Sequence, residues 1–335
     1  VIKNLSDDIK RFFIDPRTVS ESPVQWDLVF NAAELGLIPF EALLNDDGTP
    51  TFACENPKII LTRRIRQNTL PAVAENWPVV PRVLFAYADS RTEGSAAVPY
   101  QEHISSLRKS LRPWLSAEMM EQSDNVILTI LANVRFTQIE DSLVKAIANN
   151  KPYTHLHILA HGIRIELPDG VGSEFGVALF QVGSIDDFSH LFEKLEVKPF
   201  VVSYMICDSA NASNAITSKK NIVQATHRAG VPVVIGSQLP LTFPGSVCIA
   251  DQFYKAILNG EDVRDAVHQT RCALFARKGT GHDWLSFIAY VRLPEGYESS
   301  LKESRLKRQM ASLNTIRKDT ERLIQDKSTE RARYQ

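Results

Sequence analysis

Between residues 81 and 293, short β-rich apolar runs alternate with stretches of helical spacing. PRVLFAYADS (81–90), NVILTILANV (125–134), THLHILAHG (154–162), PFVVSYMIC (199–207), VPVVIGSQ (231–238) and WLSFIAYVRL (284–293) read as strands, with the second buried. HISSLRKSLRPWL and TQIEDSLVKAIANN read as helices, the latter capped by Thr137 with Glu140 three residues on. SIDDFSHLFEKLE, capped by Ser184, and NIVQATHRAG, ended by Gly230, are helical too, and so are residues 245–259 and 262–277. RIELPDG and FGVALFQV form a hairpin with Asp169-Gly170 at its turn. Strands separated by helices of ten to fifteen residues predict an α/β fold. We expect roughly six core strands in a mostly parallel sheet with helices on both faces.

The flanks differ. Residues 1–80 are less regular and are expected to pack on the same sheet as an extension rather than fold alone. Residues 81–298 then form the core. After Pro294-Glu295-Gly296 the chain is helical and charged, with ten Lys/Arg against five Asp/Glu over residues 299–335. Leu306, Met310, Leu313 and Ile316 give that segment one thin apolar stripe, which predicts a solvated basic helix or linker.

Composition narrows the classes. The 335 residues are 44% hydrophobic with a formal net charge of −1, so overall charge gives no reason to expect nucleic acid. No run of about 18 apolar residues predicts a membrane span. The opening VIKNLSDDIKRFF lacks both an apolar signal core and an initiator Met, so the chain reads as trimmed or as part of a longer protein. Cys54, Cys207, Cys248 and Cys272 form no CxxC pair and read as reduced thiols of a cytoplasmic protein.

Three of the eight histidines fall within residues 155–161. His155 and His157 share a strand face, the spacing of a zinc half-site. His161 lies about 13 Å further along an unbroken strand, at ~3.3 Å per residue, too far to complete it. The two are therefore read as hydrogen-bonded strand residues, and neither metal nor cofactor is expected. His161 instead ends an apolar run before Gly162, at the carboxyl end of a strand, where ligand sites of open parallel sheets form. Cys207 ends VVSYMIC in the same way and is followed by small polar DSANAS, which could start a helix whose dipole favours thiolate. The separation of 46 residues (207 − 161) is near the roughly 50 between catalytic His and Cys in caspases. Cys248 and Cys272 fall inside helical patterns and read as core filling.

At these residues the chain resembles the CHAT domain, a caspase- and separase-like branch of the clan CD cysteine peptidases. ELGLIPFEALL, HLHILAHG, VVSYMICDSAN, GVPVVIGSQLPL, IADQFYKAILNGEDVRDAVHQTR and WLSFIAYV carry the resemblance, in that order, over roughly residues 25–295. It implies a caspase-like fold, a His161–Cys207 dyad and cleavage of a protein substrate without a cofactor. Such domains are often controlled by fused domains or partners, and several serve antiviral defence. The expected oxyanion donors are the backbone N–H groups of Gly162 and Cys207. The substrate is expected beside Ser237, Gln238 and Leu239, its backbone pairing with that strand. Two departures bear on specificity: Met205-Ile206-Cys207-Asp208-Ser209 replaces the caspase Gln-Ala-Cys-Arg-Gly, and Leu239 replaces the family's Trp. With Met205 and Leu239 at the expected pocket, a hydrophobic or small P1 residue is predicted. Two rivals are an inactive caspase-like scaffold, against which the intact His and Cys count, and a nucleotide-binding enzyme. The latter lacks any GxGxxG or GxxxxGK[ST] after a strand.

Overall fold

The computed structural model describes residues 23–31, 33–45, 47–55, 58–66, 80–89, 97–114, 127–166, 173–179, 183–206, 221–277 and 281–333. Among them, eight strands form one sheet. They are β1 (Val24–Phe30), β2 (Ile59–Ile65), β3 (Val83–Tyr87), β4 (Leu128–Ala132), β5 (His155–Leu159), β9 (Val201–Met205), β10 (Val233–Ser237) and β11 (Phe287–Val291). Their order across the sheet is β1-β2-β11-β10-β9-β5-β3-β4. All neighbours pair in parallel except β10 and β11. The six expected core strands are the contiguous block from β11 to β4. The sheet is larger than expected because β1 and β2, from the irregular first 80 residues, extend its far side. β6 (His161–Glu166), β7 (Ser173–Ala178) and β8 (Gly183–Ser184) form a separate antiparallel sheet. The predicted hairpin is β6–β7, and its Asp169-Gly170 turn lies outside the described residues.

Alternation along the central strands builds two cores. Val83, Phe85, Val201, Met205, Val233 and Ile235 face one layer of helices: α1 (Tyr100–Leu111), α5 (Phe243–Leu258) and α6 (Val263–Ala276). Leu84, Ala86, Leu156, Ile158, Val202, Tyr204 and Val234 face the other: α2 (Phe136–Ala148), α3 (Ile185–Lys194) and α4 (Ile222–Arg228). β4 was expected to be buried. It is an edge strand of the described sheet, and most of its residues are only half-buried.

Helix starts follow local chemistry. Ser184 Oγ accepts from the Asp187 N–H at 3.1 Å, the predicted cap of α3, and Asn221 caps α4 by accepting from Gln224 N–H. The α2 cap is Arg135 rather than Thr137. Gln138 Oε1 accepts from the Arg135 N–H at 2.8 Å, so the helix begins before Thr137, which lies in its first turn. Gly230 ends α4 at φ 103°, a conformation that suits glycine.

The last helix, α8 (Tyr297–Arg333), docks only by its start. Tyr297, Leu301 and Ser304 are buried, the Tyr297 hydroxyl accepts from the Val263 N–H, and Arg308 bonds Asn259. Leu306, on the outer side of these turns, and Met310, Leu313, Ile316, Leu323 and Ile324 beyond them are all exposed. Deleting residues 309–335 should therefore leave the urea unfolding midpoint unchanged, whereas Leu301→Ala should cost about 2–4 kcal/mol through the cavity it leaves. Equal losses from both changes would refute this division of the helix.

Candidate active site

Adjacent strands β5 and β9 run in parallel with Leu159 opposite Met205. The Ala160 N–H still reaches the Met205 carbonyl at 3.4 Å. His161 comes two residues after Leu159, at the start of β6. It is half-buried, and its ring centroid lies 6.2 Å from that of Phe243 in the first turn of α5. Gly162 follows it in β6 and is half-buried too. β9 ends at Met205, Ile206 is buried, and Cys207 and the DSANAS stretch lie outside the described residues.

The other candidate residues have defined surroundings. Met205, expected in the specificity pocket, packs in the core on the α1/α5 face with 2% of its surface exposed. The side chain presents almost nothing to a substrate. Ser237 is fully buried, and its hydroxyl donates to the Ile206 carbonyl at 2.6 Å. Gln238 is buried, its carboxamide oxygen accepting from Arg63 Nη2 at 3.0 Å and its nitrogen donating to the Leu37 carbonyl. Leu239 is half-buried, and the Ser286 hydroxyl holds both its N–H and its carbonyl. His282 Nε2 donates to the Pro240 carbonyl at 2.8 Å, and Asp283 accepts from the Thr242 N–H at 3.0 Å. Both belong to the turn around α7 (Asp283–Ser286). Residues 239–242 are thus latched on the β11 side. The β9 side of β10 is covered by the ladder only as far as Ile235.

An open cleft of about 520 Å³ lies beside Phe243. Its walls are Val98, Pro99, Tyr100, Pro244 and Val247 with Phe243, and Glu102 and Arg277 also line it. Apart from Phe243, which follows the Ser-Gln stretch, the sequence singles out no residue of this cleft, because its two walls are helix starts about 140 residues apart that only the fold brings together.

A second feature missed in the sequence is a buried ion cluster. Glu41, Arg63 and Arg271 are fully buried. Arg63 Nε donates to Glu41 Oε1 at 3.0 Å, and Nη2 donates to Oε2. Arg271 Nη2 lies 3.8 Å from Glu41 and donates to the Phe287 carbonyl. Burial works against the Arg63 charge, yet the carboxylate of Glu41 beside it holds its pKa above the usual value. Arg63 Nη1 also donates to the Gly36 carbonyl at 2.6 Å. A Cβ at Gly36 would fall 2.3 Å from Gln224 Nε2 and 2.7 Å from the Tyr290 hydroxyl, so both side-chain ends would have to shift to admit it. The ELGLIPF stretch and the SQ stretch, some 200 residues apart, therefore meet through Arg63 and Gln238.

The remaining histidines of the motif are engaged. His157 Nε2 faces His103 Nδ1 at 2.8 Å, and His157 Nδ1 faces Ser203 Oγ at 2.7 Å and the Tyr254 hydroxyl at 3.2 Å. His103 Nε2 reaches Ser246 Oγ at 3.2 Å, and His155 Nδ1 lies 2.7 Å from Thr154 Oγ1. His155 and His157 are thus hydrogen-bonded strand residues, buried between the sheet and α1/α5. Among the described residues no group of three or more His, Cys, Asp or Glu side chains is arranged to hold a metal ion. Burial pushes His103 and His155 down to about 3.

A His–Cys pair also lies on α6. His268 Nε2 lies 3.4 Å from Cys272 Sγ, one turn apart on α6. Burial pushes the thiol up to about 12 and the imidazole down to about 4, so both groups are neutral at pH 7 and the sulfur is no nucleophile. Burial also raises the Cys248 thiol.

A mostly parallel sheet with helices on both faces, and a His just beyond the carboxyl end of a central strand, is the frame of a caspase-like α/β protein. The family model for the CHAT domain matches residues 4–292, and the chain belongs to that family. Its fold is therefore that of the caspase-like cysteine peptidases. Solved structures of similar shape include separase of Saccharomyces cerevisiae in its complex with securin, with a TM-score of 0.45 and 11% identity over 78% of this chain. The chain spans 15% of the length of that separase chain. The Arg-specific cysteine proteinase gingipain R superposes with a TM-score of 0.49 at 10% identity, over 86% of this chain and 67% of that one. The Porphyromonas gingivalis RgpB complex of pro- and mature domains gives a TM-score of 0.49 at 9% identity, over 86% and 69%. No curated protein sequence matches the chain. Among the described residues no helix is long and apolar enough to cross a membrane.

The buried histidines give a pH prediction. Folded His103 and His155 stay neutral down to about pH 3, while the unfolded chain takes up protons below its ordinary imidazole pKa of about 6.5. Their contribution to stability is therefore complete above pH 6.5 and is lost as the pH falls toward 3, by at most about 1.4 kcal/mol per pH unit for each histidine. Urea unfolding at pH 7.5 and 5.5 should show a lower midpoint at 5.5. A midpoint that does not move between the two would contradict the neutral buried state.

Proposed function

We propose that the chain is a cysteine endopeptidase acting through His161 and Cys207 on a protein substrate. The observation that carries this reading is the register of β5 and β9. Leu159 stands opposite Met205, so His161 and Cys207 each follow by two residues from partners on neighbouring strands. Strands in a sheet lie about 4.8 Å apart, and two residues reach at most about 7 Å, so chain connectivity allows the two groups to meet. The His268–Cys272 pair is less suited to the role, because burial disfavours its thiolate.

In this reading His161 holds the proton of the Cys207 thiol, leaving a thiolate. The sulfur attacks the scissile carbonyl carbon, forming a C–S bond while the carbonyl π electrons move to oxygen. The Gly162 and Cys207 N–H groups receive that oxyanion. Collapse breaks the C–N bond, and His161 gives its proton to the departing amine. Water then attacks the thioester, His161 takes the water proton, and the carboxylic acid leaves as thiolate is restored. The substrate lies beside Leu239, the first half-buried residue after β10, since Gly236, Ser237 and Gln238 are buried and the Ser237 hydroxyl already holds the Ile206 carbonyl. Control comes from a regulatory domain or partner protein, since nothing in this chemistry limits cleavage by itself.

Cys207→Ala and His161→Ala should each lower peptidase activity by several orders of magnitude without moving the thermal midpoint. Cys54→Ala and Cys248→Ala should retain activity. Full activity in Cys207→Ala, or its loss in Cys54→Ala alone, would show the assignment to be wrong. Unlabelled Cys207 after exposure to a peptidyl acyloxymethyl ketone, with no turnover of denatured casein, would favour the inactive scaffold.

Substrate preference follows from the cleft beside Phe243. With Met205 in the core, its apolar walls at Val98, Pro99, Tyr100 and Val247 take the specificity role. A Leu-sized P1 residue gains about 1–3 kcal/mol per methylene-scale difference there. Matched fluorogenic peptides should give a higher kcat/KM with P1-Leu than with P1-Arg or P1-Asp. A tenfold preference for P1-Arg would assign the pocket to Glu102 instead.

A further inference from the structure

We propose that His103 and Ser246 are positioning residues that fix the width of the cleft beside Phe243, held in place by a one-way chain of hydrogen bonds that runs back to β9 through His157. This rests on the peptidase reading above, in which that cleft takes the P1 side chain.

The two walls of the cleft are the starts of α1 and α5. Each wall has a buried polar side chain next to it in the chain. His103 follows Glu102, and Ser246 precedes Val247. His103 Nε2 lies 3.2 Å from Ser246 Oγ, so one bond joins the helix of one wall to the helix of the other. On its other side His103 Nδ1 faces His157 Nε2 of β5 at 2.8 Å. His157 Nδ1 in turn faces Ser203 Oγ of β9 at 2.7 Å and the Tyr254 hydroxyl of α5 at 3.2 Å. Phe85 of β3 stacks on the His103 ring, 8° from parallel with centroids 6.3 Å apart, and seats it on the sheet.

Burial keeps both rings neutral, so each carries one N–H and one bare nitrogen. They face each other nitrogen to nitrogen, and a single proton serves the bond between them. Their tautomers are therefore tied: both rings hold Nε2–H, or both hold Nδ1–H. The ends of the chain decide which. With Nε2–H on both, Ser246 accepts from His103, and its own hydroxyl donates to the Phe243 carbonyl at 2.9 Å. Ser203 then donates to His157 and accepts from Tyr254, 2.6 Å away. In the reverse order the Ser203 hydroxyl has the Leu156 carbonyl as its acceptor, at a long 3.4 Å. The bonds thus run from Tyr254 through Ser203, His157, His103 and Ser246 to Phe243, whose side chain lines the cleft.

Opening any link strands a buried donor or acceptor away from water. α1 and α5 are held at one spacing, and Val98, Tyr100, Phe243 and Val247 at their starts present a slot of set width. Ser246→Ala removes the acceptor for His103 and the donor to Phe243 together. His103→Asn cuts the same bond from the other side, since the shorter amide has an atom near the Nδ1 position and none at Nε2.

The test measures kcat and KM for matched peptidyl-coumarins with P1-Leu and P1-Phe, in full chains of the wild type, Ser246→Ala, His103→Asn and Thr226→Ala. Thr226→Ala removes an equally buried hydroxyl, bonded to Tyr204 on the other face of the sheet. Ser246→Ala and His103→Asn should each lower the preference for P1-Leu over P1-Phe at least about fivefold, through a higher KM for P1-Leu with kcat within about twofold. Thr226→Ala should leave the preference within about twofold. An unchanged preference in Ser246→Ala and His103→Asn overturns the assignment, and so does an equal change in Thr226→Ala, because loosening anywhere in the core would then suffice. NMR of the wild type labelled with heavy nitrogen in its histidines reads the chain directly, with the signals lost in His103→Asn marking that ring. Both rings should show a protonated Nε2 and a bare Nδ1 near neutral pH; the opposite tautomers, or one of each, overturn the chain whether or not a variant folds. A wild type that cleaves neither peptide and is not labelled by an acyloxymethyl ketone ends the peptidase reading and the P1 role with it, while the tautomers still report on the chain.

Discussion

The parallel pairing of β5 with β9 is the constraint on which the rest of the molecule turns. Five residue pairs, from His155↔Val201 to Leu159↔Met205, fix where each strand stops. A slip of one residue would exchange the two faces of the strand, carrying Ser203 and Met205 out of the α1/α5 layer and Tyr204 into it. The register is defended from both sides. Apolar residues of alternate parity belong to separate cores, and polar residues of the α1/α5 parity must find Tyr254, His103 and Ser246 on the helices that cover them.

That polar seam is costly unless complete. A buried hydroxyl or imidazole without a partner loses about 1–3 kcal/mol relative to water. Ser203 Oγ lies 2.6 Å from the Tyr254 hydroxyl, and His157 uses both ring nitrogens. Two strands and two helices are thus joined by bonds that only one register satisfies. The Glu41–Arg63–Arg271 cluster plays the same part at the other end of the sheet. Removing one member would strand a buried charge, a loss of about 3–5 kcal/mol, so the cluster dictates arrangement more than it adds net stability. It joins the segment before β2 to β10 through Gln238, and so connects the first described strands to the strand beside the candidate site.

The outer elements are less constrained. α8 is anchored by Tyr297, Leu301 and Arg308 and then runs into solvent with its thin apolar stripe uncovered. The β6–β7–β8 sheet grows directly from the end of β5, so His161 is held by two structures at once: the central strand behind it and the hairpin it begins.

The amino-acid sequence by itself determined the alternation of strands and helices, because a period of two or of 3.6 in apolar positions survives any arrangement of the elements. It determined the cap at Ser184 and the stop at Gly230, which depend on neighbours three or four residues away. It also showed His161 just past an apolar run. It could not show that β1 and β2 join the main sheet, since β1 alternates only as a half-buried edge and acquires its meaning from pairing with β2. The roles of Met205, Ser237 and Gln238 were decided by tertiary structure alone. Each sits at a strand end where the next contact comes from a segment some 30 to 200 residues away, and a hydrogen bond across that distance leaves no periodic trace in the chain.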